Sequence, residues 1–212
     1  MSTVQSVIAN RTYELPCPYF LSGPDRQIRL GNFIGDAVKG NSYNDYPPAI
    51  RKGILLHRAI DDYTDHHPAF IECVRRLKPC FGRYSSILAD IYFDYLLASR
   101  FQEFSEVPLK RFTRNFYWTM ILYRHRLPAR IKRSMWHFIG TGRLDKYASV
   151  GGIRNSLEIM VRVGRIELPV ERAVDYLATH EEELWVDFKP FFGSLQLYCA
   201  DWIATHQPAK GK

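Results

Sequence analysis

The 212-residue sequence has no run approaching the ~18 consecutive apolar residues that a membrane-spanning helix requires. A chain that stays out of the bilayer is therefore expected. Its four cysteines, Cys17, Cys73, Cys80 and Cys199, form no CxxC pair and no metal-knuckle spacing, which argues against a thiolate-bound structural zinc. Residues 1–11 carry no long apolar stretch, which argues against a cleaved leader. The expectation is a cytoplasmic protein with reduced thiols. Also missing are strand-period alternation, low-complexity tracts and internal repeats.

What is present suffices for a core. The chain is 46% hydrophobic and 14% aromatic, a balance that disfavours disorder. Its 29 Lys and Arg against 22 Asp and Glu leave a formal charge of +7, so the surface should concentrate anionic partners. Nucleic acid, membrane and an acidic protein all qualify on composition alone.

Pro16, Pro18 and the Ser22-Gly23-Pro24-Asp25 turn mark residues 1–26 as irregular. Helical patterning is expected over 28–39, with Gly40 as its cap, and then over 47–66, 69–77, 85–101, 109–123 and 128–139. Further helices fit 150–164 and 169–205, ahead of a flexible tail at 207–212. The whole of 27–206 reads as one all-α domain.

Polar groups then stand where core is expected. In the 47–66 helix, Ile50, Ile54, His57 and Asp61 follow i, i+4, i+7, i+11 and share one face. In the 85–101 helix, Asp90 and Asp94 lie one turn apart in a stripe with Ile87, Ile91 and Ala98. In the first helix, Asn32, Asp36 and Lys39 line up opposite Phe33, Ala37 and Val38. A buried carboxylate or imidazole needs a partner or a metal. Each alone reads as a surface group or a buried ion pair. His57 with Asp61 is an i, i+4 pair suited to chelation, and taken with Asp36 and Asp94 it makes an oxygen-and-nitrogen metal centre the better explanation. Such ligands suit Mn²⁺, with Mg²⁺ or Fe²⁺ as alternatives.

The segments Gly31-Asn32-Phe33-Ile34-Gly35-Asp36-Ala37-Val38-Lys39-Gly40, Gly53-Ile54-Leu55-Leu56-His57-Arg58-Ala59-Ile60-Asp61-Asp62-Tyr63-Thr64-Asp65 and Asp90-Ile91-Tyr92-Phe93-Asp94 resemble the acyl carrier protein phosphodiesterase family. That family is a divergent branch of the helical HD-type metal phosphohydrolases. The resemblance implies an HD-like fold with a metal and phosphate pocket between helices. It also implies hydrolysis of holo acyl carrier protein to 4′-phosphopantetheine and the apo protein. By motif match, Asp36, His57, Asp61 and Asp94 would hold a divalent metal. Asp61, Asp94, Asp90 and Arg58 would be catalytic, and Asn32, Lys39, Arg58, Asp65 and Tyr95 would support or contact phosphate. The family usually carries a histidine ahead of a Leu-Ser pair; counting back from Leu21-Ser22 puts Pro18 there, beside Cys17 as a possible ligand. The family's later Asp-His is Asp94-Tyr95 here. Two other readings are a weakened paralogue that binds acyl carrier protein and an HD-type enzyme acting on a small phosphoester.

Residues 107–144 contain no Asp or Glu, yet hold Lys110, Arg111, Arg114, Arg124, Arg126, Arg130, Lys132, Arg133 and Arg143 among interleaved aromatics. A solvated basic face is the plain reading. Set beside the family resemblance, Arg111, Arg114, Arg130 and Arg133 become candidates for docking an acidic carrier protein. No helix-turn-helix, zinc-finger or RNA-recognition signature supports nucleic acid instead. Oligomeric state is not legible.

Overall fold

The computed structural model describes residues 16–206. The expected tail at 207–212, and the part of the irregular segment before residue 16, lie outside them. No strand occurs among the described residues. The order of helices is α1 (Pro16–Phe20), α2 (Arg26–Ile34), α3 (Pro48–His66), α4 (Pro68–Phe81), α5 (Ser85–Ser99), α6 (Leu109–Leu122), α7 (Ala129–Gly140), α8 (Arg143–Lys146), α9 (Val150–Gly164), α10 (Val170–Thr179) and α11 (Glu181–Thr205).

The ends follow from local chemistry. Asp25 caps α2, its carboxylate accepting from Gln27 N at 2.7 Å and Ile28 N at 3.1 Å. Pro48 and Pro68 start α3 and α4, where a missing N–H costs nothing. Three expectations need correction. The first helix stops at Ile34 rather than at Lys39, because Gly35–Ala37 tightens into a 3-10 turn and Val38 is extended. The stretch 169–205 is two helices, parted at His180, whose backbone (φ −110°, ψ 17°) leaves the helical region. Pro16 and Pro18 also do not prevent α1, since both fall in its first turn.

α5 runs through the middle of the molecule and is buried almost all round, so its expected amphipathic stripe is absent. α4 packs on one side of it and α11 crosses α3, α4 and α5 together. Phe93 of α5 meets Phe188 and Phe191 of α11 at ring-centroid distances of 5.2 and 5.3 Å. α1 bridges α2 and α5, while α6 docks on α1 and α2 through Phe116, whose ring lies 4.5 Å from Tyr19 and 4.6 Å from Phe33.

The most intimate helix pair is α2 on α3. Gly31 and Gly53 face each other there, and a Cβ built on Gly53 would fall 2.1 Å from the Ile28 carbonyl oxygen and 2.8 Å from Gly31 Cα. One built on Gly31 would fall 2.0 Å from the Ile50 carbonyl oxygen. Both obstacles are backbone, so neither can step aside. Gly53→Ala should therefore cost about 1–3 kcal/mol or more, as overpacking does. Gly193→Ala, in α11 with no atom within 4 Å, should instead gain stability, by about 0.5–1 kcal/mol of relieved backbone entropy. Urea unfolding of the two variants should give opposite signs; equal responses would mean that the α2–α3 crossing has slack.

Candidate functional site

The close crossing of α2 and α3 carries the polar residues into contact. Asn32 is fully buried, and its Oδ1 lies 3.2 Å from Nδ1 of His57, which is itself 7% exposed. Asn32 Nδ2 donates to the Pro18 carbonyl at 2.7 Å and to Ser22 Oγ at 2.8 Å, tying α1 to the same point. On the other edge of the ring, His57 Nε2 stands 3.5 Å from Asp61 Oδ2. Gly35 lies against the imidazole: a Cβ there would sit 2.4 Å from His57 Cβ. The glycine at the end of α2 is what lets the histidine in.

Asp36 follows directly. Its Oδ1 accepts from Lys39 Nζ at 3.0 Å, while Oδ2 is buried with no hydrogen-bond partner among the described residues. A carboxylate oxygen in that state is the kind of group that a cation stabilises. Arg58 donates to the carbonyls of Val38 at 3.1 Å and Gly40 at 2.6 Å and lies over the Tyr43 ring. It clamps the turn that carries Asp36 and Lys39 rather than reaching outward.

The remaining acidic residues gather around Cys17. Burial pushes the Cys17 thiol well above its ordinary range, and the negative charges of Asp94, Asp90 and Asp61 push it further. Asp94 is 5% exposed, Asp90 is half-buried and Asp61 is exposed. Cys17 lies on α1, which packs on α2 and α5, and its thiol stays protonated there. Pro18, at the place of the family's histidine, supplies only its carbonyl.

The expectations for Asn32 and Tyr95 change with this geometry. Asn32 cannot contact a phosphate, because it is buried and its amide is already engaged on both sides. Tyr95 is turned away from Asp94: its hydroxyl donates to Glu181 Oε2 at 2.9 Å, and burial and Glu181 together push it up to about 12. Asp65 is exposed near the end of α3. Among the described residues, no three His, Cys, Asp or Glu side chains stand close enough to clasp one ion.

The basic segment forms α6 and α7, packed through Tyr117 and Phe138 at 5.8 Å. Arg111, Arg114, Trp118 and Leu122 follow one exposed face of α6. On α7, Arg133 and Trp136 are exposed and Arg130 is half-buried. Sequence patterning alone missed Ser22, Gly35 and the exposed Trp118–Leu122 pair. A Ser-Gly-Pro-Asp run and an isolated glycine carry no hint of a distant histidine.

No helix among the described residues is long and apolar enough to cross a membrane. No solved structure matches the chain. A curated acyl carrier protein phosphodiesterase of Yersinia pestis is 29% identical over 132 residues, covering 62% of this chain and 68% of that one. One from Klebsiella pneumoniae subsp. pneumoniae is 29% identical over 164 residues, covering 76% and 84%. One from Enterobacter sp. (strain 638) is 35% identical over 85 residues, covering 40% and 44%. The family model for acyl carrier protein phosphodiesterase matches residues 19–195, which include α2, α3, α5 and every polar group just described except the Cys17 thiol and the Pro18 carbonyl. The chain belongs to the acyl carrier protein phosphodiesterase family.

Proposed function

We propose that the protein is a metal-dependent phosphodiesterase that hydrolyses the 4′-phosphopantetheine linkage of holo acyl carrier protein, in the manner of the HD-type phosphohydrolases. The observation that carries the reading is the His57–Asp61 pair at 3.5 Å, with Gly35, the chain neighbour of Asp36, set against the same ring. In the reaction, water adds to phosphorus, the bond from phosphorus to the serine oxygen breaks, and that oxygen takes up a proton. The products are the apo protein and 4′-phosphopantetheine.

His57, Asp61, Asp94 and Asp36 would hold a divalent ion, Mn²⁺ by donor chemistry, which when bound supplies a polarised phosphoryl oxygen and a water of lowered pKa. Two features of the chain fit such an ion. The buried Oδ2 of Asp36 has no hydrogen-bond partner among the described residues, and His57 has its Nδ1 engaged while Nε2 faces a carboxylate. Lys39, 62% exposed, offers a mobile positive charge to the phosphodiester beside that site. Arg58 holds the turn bearing Asp36 and Lys39 in place. Asp90, half-buried one turn from Asp94, would be the group that accepts a proton.

A second reading, a paralogue that binds the carrier protein with little turnover, is favoured by the protonated Cys17 and by the lack of a ready three-donor cluster among the described residues. Incubation with holo acyl carrier protein and Mn²⁺, followed by weighing of the carrier, separates the two. The enzyme reading expects loss of the phosphopantetheine mass, and His57→Ala should slow it by about 100-fold or more. Tight binding with an unchanged carrier mass would leave the second reading standing.

We further propose that the α6–α7 surface docks the acidic carrier. Exposed charges are screened over about 8 Å at physiological salt, so association should slow as salt rises. Arg111→Glu with Arg114→Glu should reduce the on-rate about 10-fold or more and flatten its salt dependence. Surface plasmon resonance with holo carrier protein and with an oligonucleotide tests this. Unchanged carrier binding removes the surface as the dock, and equal losses for the oligonucleotide point to nucleic acid.

A further inference from the structure

Pro18 has no N–H, so its contribution to the buried network can only be the acceptor oxygen of its carbonyl. That oxygen receives Ser22 Oγ at 2.7 Å and Asn32 Nδ2 at 2.7 Å. The single Ser22 hydroxyl proton is therefore committed to Pro18, and Ser22 Oγ must accept the second Asn32 amide proton, at 2.8 Å. Both donors of the amide are now assigned, which fixes its orientation. Turning it over would set its oxygen against a carbonyl that cannot donate.

The consequence passes to His57. Asn32 Oδ1 carries no proton and lies 3.2 Å from His57 Nδ1, so Nδ1 must be the donor. A neutral imidazole has one N–H, which leaves Nε2 as a bare electron pair. That pair points to the side where Asp61 Oδ2 stands 3.5 Å away. Two electron-rich atoms facing each other across this gap repel unless something positive lies between them. The arrangement is complementary to a cation, which links it to the metal-dependent reading above and rests on it.

We infer that Asn32 is a positioning residue: it reads the Pro18 carbonyl through its amide, holds His57 in the Nδ1–H tautomer, and presents Nε2 toward Asp61 as a ligand atom. The role differs from simple core filling. A methyl or apolar replacement of similar size would pack at this site, but it would have no oxygen with which to select a tautomer. The selection originates outside α2 and α3, in a backbone group of α1.

Proton-detected ¹⁵N NMR on histidine-labelled protein measures the tautomer directly, without substrate or metal. His57 is assigned by comparison with His57→Gln. At about pH 8, above the ordinary histidine range, the parent should show His57 with a protonated Nδ1 and a bare Nε2. Ser22→Ala, which spares the Asn32–Pro18 bond, should keep that pattern. Asn32→Ala should lose it in favour of the Nε2–H form that an unconstrained neutral histidine side chain prefers. A parent protein with Nε2 protonated overturns the inference whether or not Asn32→Ala folds, and so does an Nδ1–H signal that persists in a folded Asn32→Ala. The outcome is separable from the proposed reaction. An Nε2–H parent that still converts holo carrier protein sinks this inference alone, whereas an Nδ1–H parent without conversion sinks only the reaction.

Discussion

The structure depends on two helices approaching closer than side chains ordinarily permit. At the α2–α3 crossing the backbone of one helix rests on the backbone of the other, because Gly31 and Gly53 place no carbon between them. Asn32 follows Gly31 in sequence and His57 lies one turn beyond Gly53, so the crossing sets how far apart their polar ends are. A helix pair separated by ordinary side chains would hold them beyond hydrogen-bonding reach. Gly35 repeats the device one turn later, where its missing side chain is replaced by the His57 ring. Three glycines therefore do for the site what bulky residues do for the rest of the core, by giving way at the positions where polar groups must enter.

Around that crossing the charges are arranged unevenly. Burial keeps the Cys17 thiol protonated, and the charges of Asp94, Asp90 and Asp61 add to the effect. The cationic side chains of the same motifs are engaged nearby, Arg58 on two backbone carbonyls and Lys39 on Asp36. On α6 and α7 the balance is reversed, with a surface of arginines and exposed aromatics. A negatively charged partner would be drawn to the second region.

How much of this was legible in the sequence depends on how far each feature reaches. Pro48 and Pro68 announced α3 and α4, and the i, i+4 spacing announced the His57–Asp61 pair, because both are settled within one helix. The end of α2 was misplaced because Gly35, Ala37 and Val38 continue a helical pattern; the break serves a histidine on another helix. Tyr95 was assigned to phosphate because it follows Asp94, yet neighbours in a helix diverge by about 100°. Its hydroxyl reaches Glu181 instead. Cys17 and Ser22 could not be placed at all from local pattern, since their surroundings come from α2, α3, α5 and α11 at once. The boundaries expected for a catalytic domain at 27–206 leave out α1, whose Pro18 carbonyl and Cys17 thiol both enter the site.

Pro18 contributes through its main chain alone, and every amino acid carries that carbonyl. The tie from residue 18 to His57 is thus indifferent to which side chain the position bears, so long as the backbone keeps its course. A lineage could exchange a histidine for a proline there and lose one side-chain function while the Asn32 connection passed through the change intact. A position of this kind can change its side chain and still belong to the working parts of the molecule. Variation at residue 18 is consequently poor evidence that the residue has been released from its duty.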